Sequence, residues 1–303
     1  MHILITGGAG YIGSYVASQL LLDNSIKKVT IYDNLQSGNY SLFQQKLSSK
    51  EKLAFVQADI LDSRKLKQSL KGVDIVIHAA GINDFDGTKD AHLLEQINHW
   101  GTSEVCNAIE QSDVKSVIYL SDCQVYSTMD EHISEENEPN PETPYAFSKF
   151  RGEGHLYRLP TKTKHIVLRT GIVFGNQFSS KYEGMVNKMM FDAHFKGRIS
   201  ILGNGRHMIS ITSLAYLSYL IQKLIANNAS SGSYLAVEQS LQVLDLVEVV
   251  KEIYPELEFI FINPHLQLKG SNFKLPGKIK SIIDLESLNL TKELSTFKNN
   301  FSF

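Results

Sequence analysis

Short apolar runs rich in β-branched residues alternate with segments of helical periodicity through the first 170 residues. The apolar runs predict strands at 2–6, 29–33, 53–57, 74–78, 116–120 and 165–169. Helices are predicted between them at 63–70, 93–110 and 143–156, where apolar residues recur at helical spacing. Alternating strands and helices are typical of a parallel sheet covered by helices. The predicted fold class is therefore α/β, a Rossmann-type doubly wound parallel sheet.

The regular alternation ends after Arg169, where loops rich in Gly, Asn and Ser separate shorter elements. This change predicts a larger domain at 1–170 and a smaller C-terminal lobe at 171–303. The boundary is expected to be discontinuous, because the apolar alternation at 209–215 predicts a strand that could rejoin the main sheet. Segment 131–144, which carries prolines and carboxylates, predicts a solvated loop before a helix that begins at Pro144.

Three glycines follow the first predicted strand. Gly7, Gly10 and Gly13 let the backbone turn sharply, approach a pyrophosphate and pack the next helix on the strand. The anion would lie at the N-terminus of that helix. Asp33 ends the second strand, 20 residues after Gly13, where a carboxylate accepts from ribose hydroxyls and repels a 2′-phosphate. The pattern predicts a dinucleotide site that prefers NAD to NADP.

A tyrosine and a lysine lie four residues apart on the helix predicted at 143–156. Tyr145 and Lys149 therefore project from one helical face. A free tyrosine has a pKa of about 10 and is a poor base near neutrality. A lysine one turn away and a positive nicotinamide ring would favour the phenolate. An exposed pair with this spacing is common, but its place behind a dinucleotide half-site favours a catalytic role.

Composition excludes several classes. With 303 residues and 43% hydrophobic content, the chain can bury a full core. Lys and Arg total 30 against 32 acidic residues, so no overall charge favours nucleic-acid binding. Cys106 and Cys123 are too few for a disulfide framework, and the histidines lack metal-ligand spacing. No apolar run has transmembrane length and no leader pattern precedes the first strand. A cytoplasmic protein with no metal, membrane or nucleic-acid partner is predicted.

The ordered motifs resemble those of the extended short-chain dehydrogenase/reductase family. Within it the chain is most similar to the NAD-dependent nucleotide-sugar epimerases and dehydratases, such as UDP-glucose 4-epimerase. The resemblance covers residues 1–215 and rests on segments 6–14, 33–38, 59–60, 78–81, 98–102 and 145–149. It implies NAD as the cofactor and these cofactor-binding residues: Gly7, Gly10, Tyr11, Ile12, Gly13, Asp33, Asn34, Asp59, Ile60, Ala79, Ala80, Gly81, Asn98, Lys149 and Thr170.

Some of these residues also have simpler interpretations. Taken singly, Asp59 could belong to the first turn of a helix, His78 could be a satisfied core histidine, and Asn98 a buried amide bonded to backbone. Their order and spacing together favour the cofactor site.

The resemblance implies transient redox chemistry. Tyr145 would take the proton of a sugar hydroxyl while hydride passes to NAD, giving a keto sugar that can be re-reduced on its other face. Asp122 stands where the family usually has a Ser or Thr that bonds the reacting oxygen. Two negative charges roughly 4 Å apart interact by about 4 kcal/mol at an effective dielectric of about 20. Asp122 must then be protonated, turned away or paired with Lys149.

Three hypotheses follow for this position. Ser121 supplies the hydroxyl, a neutral Asp122 donates the hydrogen bond, or catalysis has been lost. A purely structural role for Asp122, capping the strand end, is equally open. Ser121 and Asp122 are therefore candidate catalytic residues beside Tyr145 and Lys149.

The substrate assignment also comes from the resemblance. Arg206 matches an arginine that binds the nucleotide diphosphate, for which its planar fork is suited, although a solvated surface arginine is equally compatible. Gln124 is a second candidate substrate contact. Cys123 and Gln124 stand where 4,6-dehydratases carry an Asp-Glu pair, which argues against that reaction, and Ile172 replaces a common Asn.

The predicted function is an NAD-dependent epimerase or oxidoreductase acting on a nucleotide-diphosphate sugar, bound partly by the smaller lobe. The alternative is a catalytically impaired dinucleotide-binding regulatory or scaffold protein of the same fold. The chain could also form a homodimer, as relatives often do.

Overall fold

The computed structural model describes residues 1–44, 49–84, 87–126, 132–175, 184–275, 277–282 and 289–301. Seven strands form the main sheet: β1 (His2–Thr6), β2 (Lys28–Asp33), β3 (Leu53–Gln57), β4 (Ile75–His78), β5 (Ser116–Asp122), β7 (Lys164–Thr170) and β11 (Gly232–Ala236). All are parallel, in the order β11-β7-β5-β4-β1-β2-β3. The predicted Rossmann-type fold is confirmed.

Helices cover both faces of this sheet. They are α1 (Tyr11–Leu20), α2 (Ser41–Gln44), α3 (Ser63–Ser69), α4 (Ala91–Leu94), a π-helical segment (Glu95–Gly101), α5 (Thr102–Glu110), α6 (Pro144–Leu156) and α8 (Leu214–Ala226). Residues of α1 and α8 pack on one face, and residues of α3, α5 and α6 pack on the other. The central strands are apolar at consecutive positions because both faces are buried, as in β1, where Ile3, Leu4 and Ile5 are fully buried.

The remaining elements form a second lobe and its connections. Its strands are β6 (His132–Ile133), β8 (Ile172–Phe174), β9 (Arg198–Leu202), β10 (Met208–Ser213), β12 (Gln239–Gln242), β13 (Glu258–Ile262) and β14 (Asn272–Phe273). Its helices are α7 (Met185–Lys196), α9 (Val243–Ile253) and α10 (Leu290–Asn299). Short 3-10 turns lie at Lys50–Lys52, Cys123–Val125 and Lys278–Ser281. Helices α7, α9 and α10 share a separate apolar core with strands β8, β9, β10 and β12.

The strand predicted at 209–215 does not rejoin the main sheet. It is β10, which pairs with β8 and β12 in a three-stranded sheet. The chain returns to the larger core through α8 and β11 instead, and β11 pairs with β7 at the sheet edge. The Thr212 hydroxyl joins the two sheets, since it accepts from Gly171 N (3.0 Å) and donates to Ala236 O (2.6 Å).

Two other predicted segments differ in detail. The helix predicted at 93–110 is continuous but contains the π-helical segment, a feature that often occurs at functional sites. The solvated loop predicted at 131–144 is wrong at its start, where Ile133 is buried and β6 pairs with β14. Residue 131 lies outside the described residues. The helix after this loop is capped by Thr143, whose hydroxyl accepts from Ala146 N.

Candidate active site

A cleft of about 480 Å³ lies where the parallel strands β1, β2, β4, β5 and β7 end. The carboxyl ends of such strands meet at one edge of the sheet, so residues far apart in sequence are brought together there. Most residues predicted from the sequence line this cleft: Gly7, Gly10, Tyr11, Ile12, Gly13, Asp33, Asn34, Asp59, Ile60, Ala79, Ala80, Gly81, Ser121, Asp122, Gln124, Tyr145, Lys149 and Thr170.

The glycine loop forms one end of the cleft. Gly7 has a φ of +66°, and a Cβ there would lie 2.6 Å from the backbone of Ala80. A Cβ on Gly13 would collide with the carbonyl oxygen of Gly7. Helix α1 begins after Gly10. The N–H groups of a first helical turn have no intrahelical partners, and Gly10 has no side chain that could cap them. The loop is thus a narrow backbone cradle suited to an anion.

Gly7→Ala is expected to destabilise the protein more than Gly72→Ala. Gly72 has a φ of +71° with open space around its Cβ position, so its substitution costs only the left-handed strain, about 1–2 kcal/mol. Gly7→Ala adds a clash with the backbone of Ala80, about 1–3 kcal/mol more. Urea unfolding of the two variants measures the difference, and equal losses would contradict the close approach.

Asp33 links the glycine loop to the end of β2. Its Oδ2 accepts from Ala9 N (3.0 Å) and its Oδ1 from Leu35 N (2.7 Å), and the side chain is buried. Asn34 donates to Asp59 Oδ2 (2.8 Å) on the adjacent loop. The carboxylates of Asp33 and Asp59 therefore lie at one end of the cleft, where they would repel an additional negative charge.

Tyr145, Lys149 and Asp122 meet at the other end. The Tyr145 hydroxyl donates to Asp122 Oδ2 (2.9 Å), and Asp122 Oδ1 accepts from Gln124 N (2.8 Å). Lys149 Nζ donates to Leu120 O (2.6 Å). Tyr145 and Lys149 are both buried on one face of α6, as the four-residue spacing predicts. Asp122 is neither turned away nor directly paired with Lys149.

Burial and the Asp122 charge determine the protonation of this group. Burial raises the pKa of Tyr145 well above its usual value, and the Asp122 carboxylate raises it further. Burial also raises the pKa of Asp122, against the opposing hydrogen bonds from Gln124 and Tyr145. Burial lowers the pKa of Lys149 to about 8, so the ammonium remains the main form at neutral pH. In this arrangement Tyr145 is a phenol.

Ser121 faces a buried ion pair that the sequence did not reveal. Its hydroxyl donates to Glu153 Oε1 (2.6 Å). Arg169 binds Glu153 through Nε (3.1 Å) and one terminal nitrogen (2.7 Å), and its other terminal nitrogen bonds Tyr126. The Ser121 hydroxyl is therefore engaged by Glu153, whereas the group that bonds the Tyr145 hydroxyl is Asp122. The hypothesis that Ser121 supplies the hydroxyl to the substrate stays a prediction. The spacing of Tyr145, Lys149 and Glu153 along one helical face was the available signal.

Two residues of the matched motifs lie behind the cleft. Asn98, in the π-helical segment, accepts from Ile82 N (2.8 Å) and donates to Ile82 O (2.9 Å). His78 contacts the hydroxyls of Thr6 (2.7 Å) and Thr102 (3.0 Å), and burial lowers its pKa to about 3. Both match the simpler interpretations. Asn98 supports the backbone at Ile82, and its predicted contact with a cofactor stays a prediction.

A contact between the two lobes was also missed. The Tyr11 hydroxyl donates to Gly175 O (2.6 Å) and accepts from Asn187 Nδ2 (2.9 Å). Asn187 Oδ1 in turn accepts from Gly175 N (3.1 Å). The tyrosine of the glycine loop therefore joins Gly175, the residue directly after β8, to Asn187 of α7. Asn187 carries no recognisable motif, and only the fold brings it to Tyr11.

Of the two predicted substrate contacts, one lies in the cleft and the other lies outside it. Gln124 lines the cleft, as does Ile172, but Arg206 is exposed and lies outside it. Lys89, which sequence reasoning did not single out, lines the cleft together with Lys149. A binding role for Arg206 stays a prediction.

In the part of the chain that the structure describes, no group of three His, Cys, Asp or Glu side chains could hold a metal ion. Among the described helices, none has the length and apolar character needed to span a bilayer.

Comparison with known proteins adds to this geometry. The model of the NAD dependent epimerase/dehydratase family matches residues 3–210. A putative UDP-glucose 4-epimerase of Methanocaldococcus jannaschii is 33% identical over 210 residues, 67% of this chain and 66% of that protein. The dTDP-D-glucose 4,6-dehydratase of Mus musculus is 26% identical over 273 residues, 85% of this chain and 75% of the relative.

Solved structures share the fold over the whole chain. UDP-glucuronic acid 4-epimerase from Bacillus cereus, in complex with UDP-glucuronic acid and NAD, has a TM-score of 0.86 at 21% identity and covers 99% of this chain and 98% of its own. DesIV, a dTDP-glucose 4,6-dehydratase from Streptomyces venezuelae with NAD bound, has a TM-score of 0.85 at 21% identity, with 99% and 96% covered.

Proposed function

Because the chain belongs to the NAD-dependent epimerase/dehydratase family, we propose that its cleft binds NAD and transiently oxidises a nucleotide-diphosphate sugar. The observation that carries this proposal is the position of Tyr145 and Lys149, which line the same cleft as the glycine loop and Asp33. At one end of the cleft, the glycine loop and Asp33 are suited to a dinucleotide. At the other end, the Tyr145 hydroxyl can exchange a proton and lies near the Lys149 ammonium. That combination is what hydride transfer from a sugar alcohol requires.

The residues present fit NAD. The cradle at Gly7 and Gly13 has no room for a Cβ, which leaves the backbone free to approach a pyrophosphate. Asp33 at the end of β2 is placed to accept from ribose hydroxyls. NAD supplies the hydride acceptor and donor. The Tyr145 hydroxyl oxygen accepts and returns the proton of the sugar hydroxyl, and Lys149 contributes a positive charge nearby.

The sugar nucleotide is assigned as a class. The relatives are named for UDP-glucose and dTDP-D-glucose, and the Bacillus cereus epimerase was solved with UDP-glucuronic acid. Gln124 and Ile172 line the cleft and are the proposed contacts to the sugar. Interconversion rather than dehydration is proposed, because Cys123 and Gln124 provide no carboxylic acid for water elimination. A homodimer and a cytoplasmic location stay predictions.

A second candidate function is a dinucleotide-binding protein without turnover. The hydrogen bond from Tyr145 to Asp122 favours it, because the carboxylate opposes formation of a phenolate. Calorimetric titration with NAD and chromatography of UDP-glucose, UDP-glucuronic acid and UDP-N-acetylglucosamine after incubation with protein and NAD distinguish the two. Conversion of any sugar supports the enzyme, whereas NAD binding with no conversion supports the second candidate.

The cofactor preference gives a separate prediction. We expect NAD to bind at least about tenfold more tightly than NADP, a difference of about 1.4 kcal/mol, because Asp33 repels a 2′-phosphate. Asp33→Asn should reduce this ratio. Asp23→Asn is the matched control, because Asp23 also accepts from the N–H two residues ahead, at Ser25 (2.7 Å), but does not line the cleft. Calorimetry that gives equal affinities for both dinucleotides would refute the role of Asp33.

A further inference from the structure

We propose that Asp122 is the proton partner of Tyr145. Its carboxylate accepts the proton of the Tyr145 hydroxyl when Tyr145 takes a proton from the substrate. This inference rests on the proposed function, since it assigns the destination of the proton released in the oxidation. The Tyr145 hydroxyl donates to Asp122 Oδ2 (2.9 Å), and both side chains line the cleft. A phenol has a single proton to donate, so the Tyr145 oxygen meets the substrate as an acceptor.

The Asp122 carboxylate is fixed in the orientation that this transfer needs. Its Oδ1 accepts from Gln124 N (2.8 Å) in the 3-10 turn after β5. The other oxygen, Oδ2, is thereby held toward Tyr145. Asp122 therefore caps the turn with Oδ1 and receives the proton with Oδ2. The capping role and the proton-accepting role are compatible in one side chain.

Lys149 supports the carboxylate rather than replacing it. Its Nζ donates to Leu120 O (2.6 Å) and lies 4.3 Å from the centre of the Tyr119 ring. Its positive charge favours the ionised form of Asp122 and opposes the effect of burial. Lys149 thus stabilises the proton acceptor of the pair.

The other titratable groups around Asp122 are neutral or act through Lys149. Cys123 and Tyr119, both on the β5 side, stay protonated because burial raises the pKa of each. From α6, Tyr145 and Lys149 face Asp122 directly, and the charge of Glu153 acts on Lys149. The pKa of Asp122 is therefore set by burial, by the Gln124 N–H and, among the titratable groups, by Tyr145, Lys149 and the Cys123 thiol.

The proton transfer balances. The C–H bond of the sugar alcohol breaks and its electron pair leaves as hydride to NAD⁺, the oxidant of the proposed function, while the carbonyl bond forms. The hydroxyl proton passes to the Tyr145 oxygen, and the original Tyr145 proton passes to Asp122 Oδ2. The sugar is oxidised, NAD⁺ is reduced, Tyr145 is unchanged and Asp122 becomes a carboxylic acid. Reduction of the keto sugar reverses each transfer.

A pH dependence follows from this scheme. Only the Asp122 carboxylate can begin the oxidation, so the rate falls as the pH decreases through the pKa of Asp122. Burial raises that pKa from its usual value, so the loss begins at a higher pH than for an exposed aspartate. Asp122→Asn keeps the size of the side chain and an acceptor for Gln124 N but has no such titration.

Absorbance titration of tyrosinate tests the pair without substrate. The chain has 13 tyrosines, so the signal of Tyr145 is the difference from Tyr145→Phe. We expect Asp122→Asn to increase the acid dissociation constant of Tyr145 at least about tenfold, because it removes a negative charge beside the phenol. The same midpoint with Asp122 and with Asn would overturn the inference.

Turnover provides the second measurement, on UDP-glucose, UDP-glucuronic acid and UDP-N-acetylglucosamine with NAD⁺ across pH. Asp122→Asn is expected to lose about 100-fold or more in kcat/KM and to lack the acid limb of the profile. Asp122→Ser, which restores the residue usual in the family, should recover part of the rate. Its pH profile should lack the acid limb that Asp122 produces. An Asp122→Asn variant with the wild-type rate and profile would overturn the inference while leaving the proposed function intact. No conversion by any variant contradicts the proposed function, and the tyrosinate titration then still decides whether Asp122 and Tyr145 share a proton.

Discussion

Arg169→Met is expected to lower the free energy of unfolding by about 3–5 kcal/mol. Arg169 is the cationic partner of Glu153, and both side chains are almost completely buried. Removing the guanidinium leaves a buried carboxylate that, among the described residues, retains the Ser121 hydroxyl as its hydrogen-bond partner. Methionine retains much of the volume, so the loss reports the uncompensated charge. Urea unfolding measures it.

Arg198→Met is the matched control. Arg198 also contacts a carboxylate through two nitrogens, since its Nε (3.1 Å) and a terminal nitrogen (2.7 Å) both donate to Glu258 Oε2, but this pair is exposed. Exposed pairs contribute about 0–1 kcal/mol. Comparable losses in the two variants would show that the Arg169 pair is not buried as described.

Tyr145→Phe is expected to reduce interconversion of the sugar nucleotide by about 10²–10⁴-fold while NAD binding is retained. The variant removes only the hydroxyl oxygen that exchanges the proton, and the ring keeps its place on α6. Chromatographic rates of product formation and calorimetry with NAD measure the two quantities separately. The free energy of unfolding should change little, because one partly buried hydrogen bond contributes only about 1 kcal/mol.

Tyr157→Phe serves as its control. Tyr157 follows α6 directly, is exposed and contacts the hydroxyl of Ser233 (2.5 Å) outside the cleft. Loss of that hydroxyl should leave turnover unchanged. Turnover that survives Tyr145→Phe would exclude the proposed role of Tyr145.

The fold was largely predictable from the sequence because local patterns match it. Strands β1 and β3 have the predicted bounds, and α6 begins after Thr143 because proline follows a capping residue. Strand β11 was not predicted, because its five residues follow a Ser- and Gly-rich segment and show no clear strand pattern. It is a strand because it pairs with β7 at the edge of the sheet. The strand at 209–215 was recognised as a strand but assigned to the wrong sheet, because apolar alternation does not specify the pairing partner.

The site was predictable where glycine spacing or helical spacing carries the chemistry. Gly7, Tyr145 and Lys149 all line the cleft for that reason. The consequence of Asp122 could not be foreseen, because a protonated carboxyl, one turned away and one paired with Lys149 were all open, and only coordinates show which group it contacts. The pairing of Glu153 with Arg169 depends on strand order, which brings β7 next to β5.

The most direct test of hydride transfer follows a label from sugar to cofactor. Wild-type protein in excess is mixed with NAD⁺ and a UDP-sugar deuterated at the ring carbons, the reaction is quenched within one turnover, and the cofactor is analysed by mass spectrometry. We expect a fraction of the cofactor to be reduced and deuterated with wild-type protein, and none with Tyr145→Phe. Absence of label with each of UDP-glucose, UDP-glucuronic acid and UDP-N-acetylglucosamine, or equal labelling in both proteins, would contradict the proposed function.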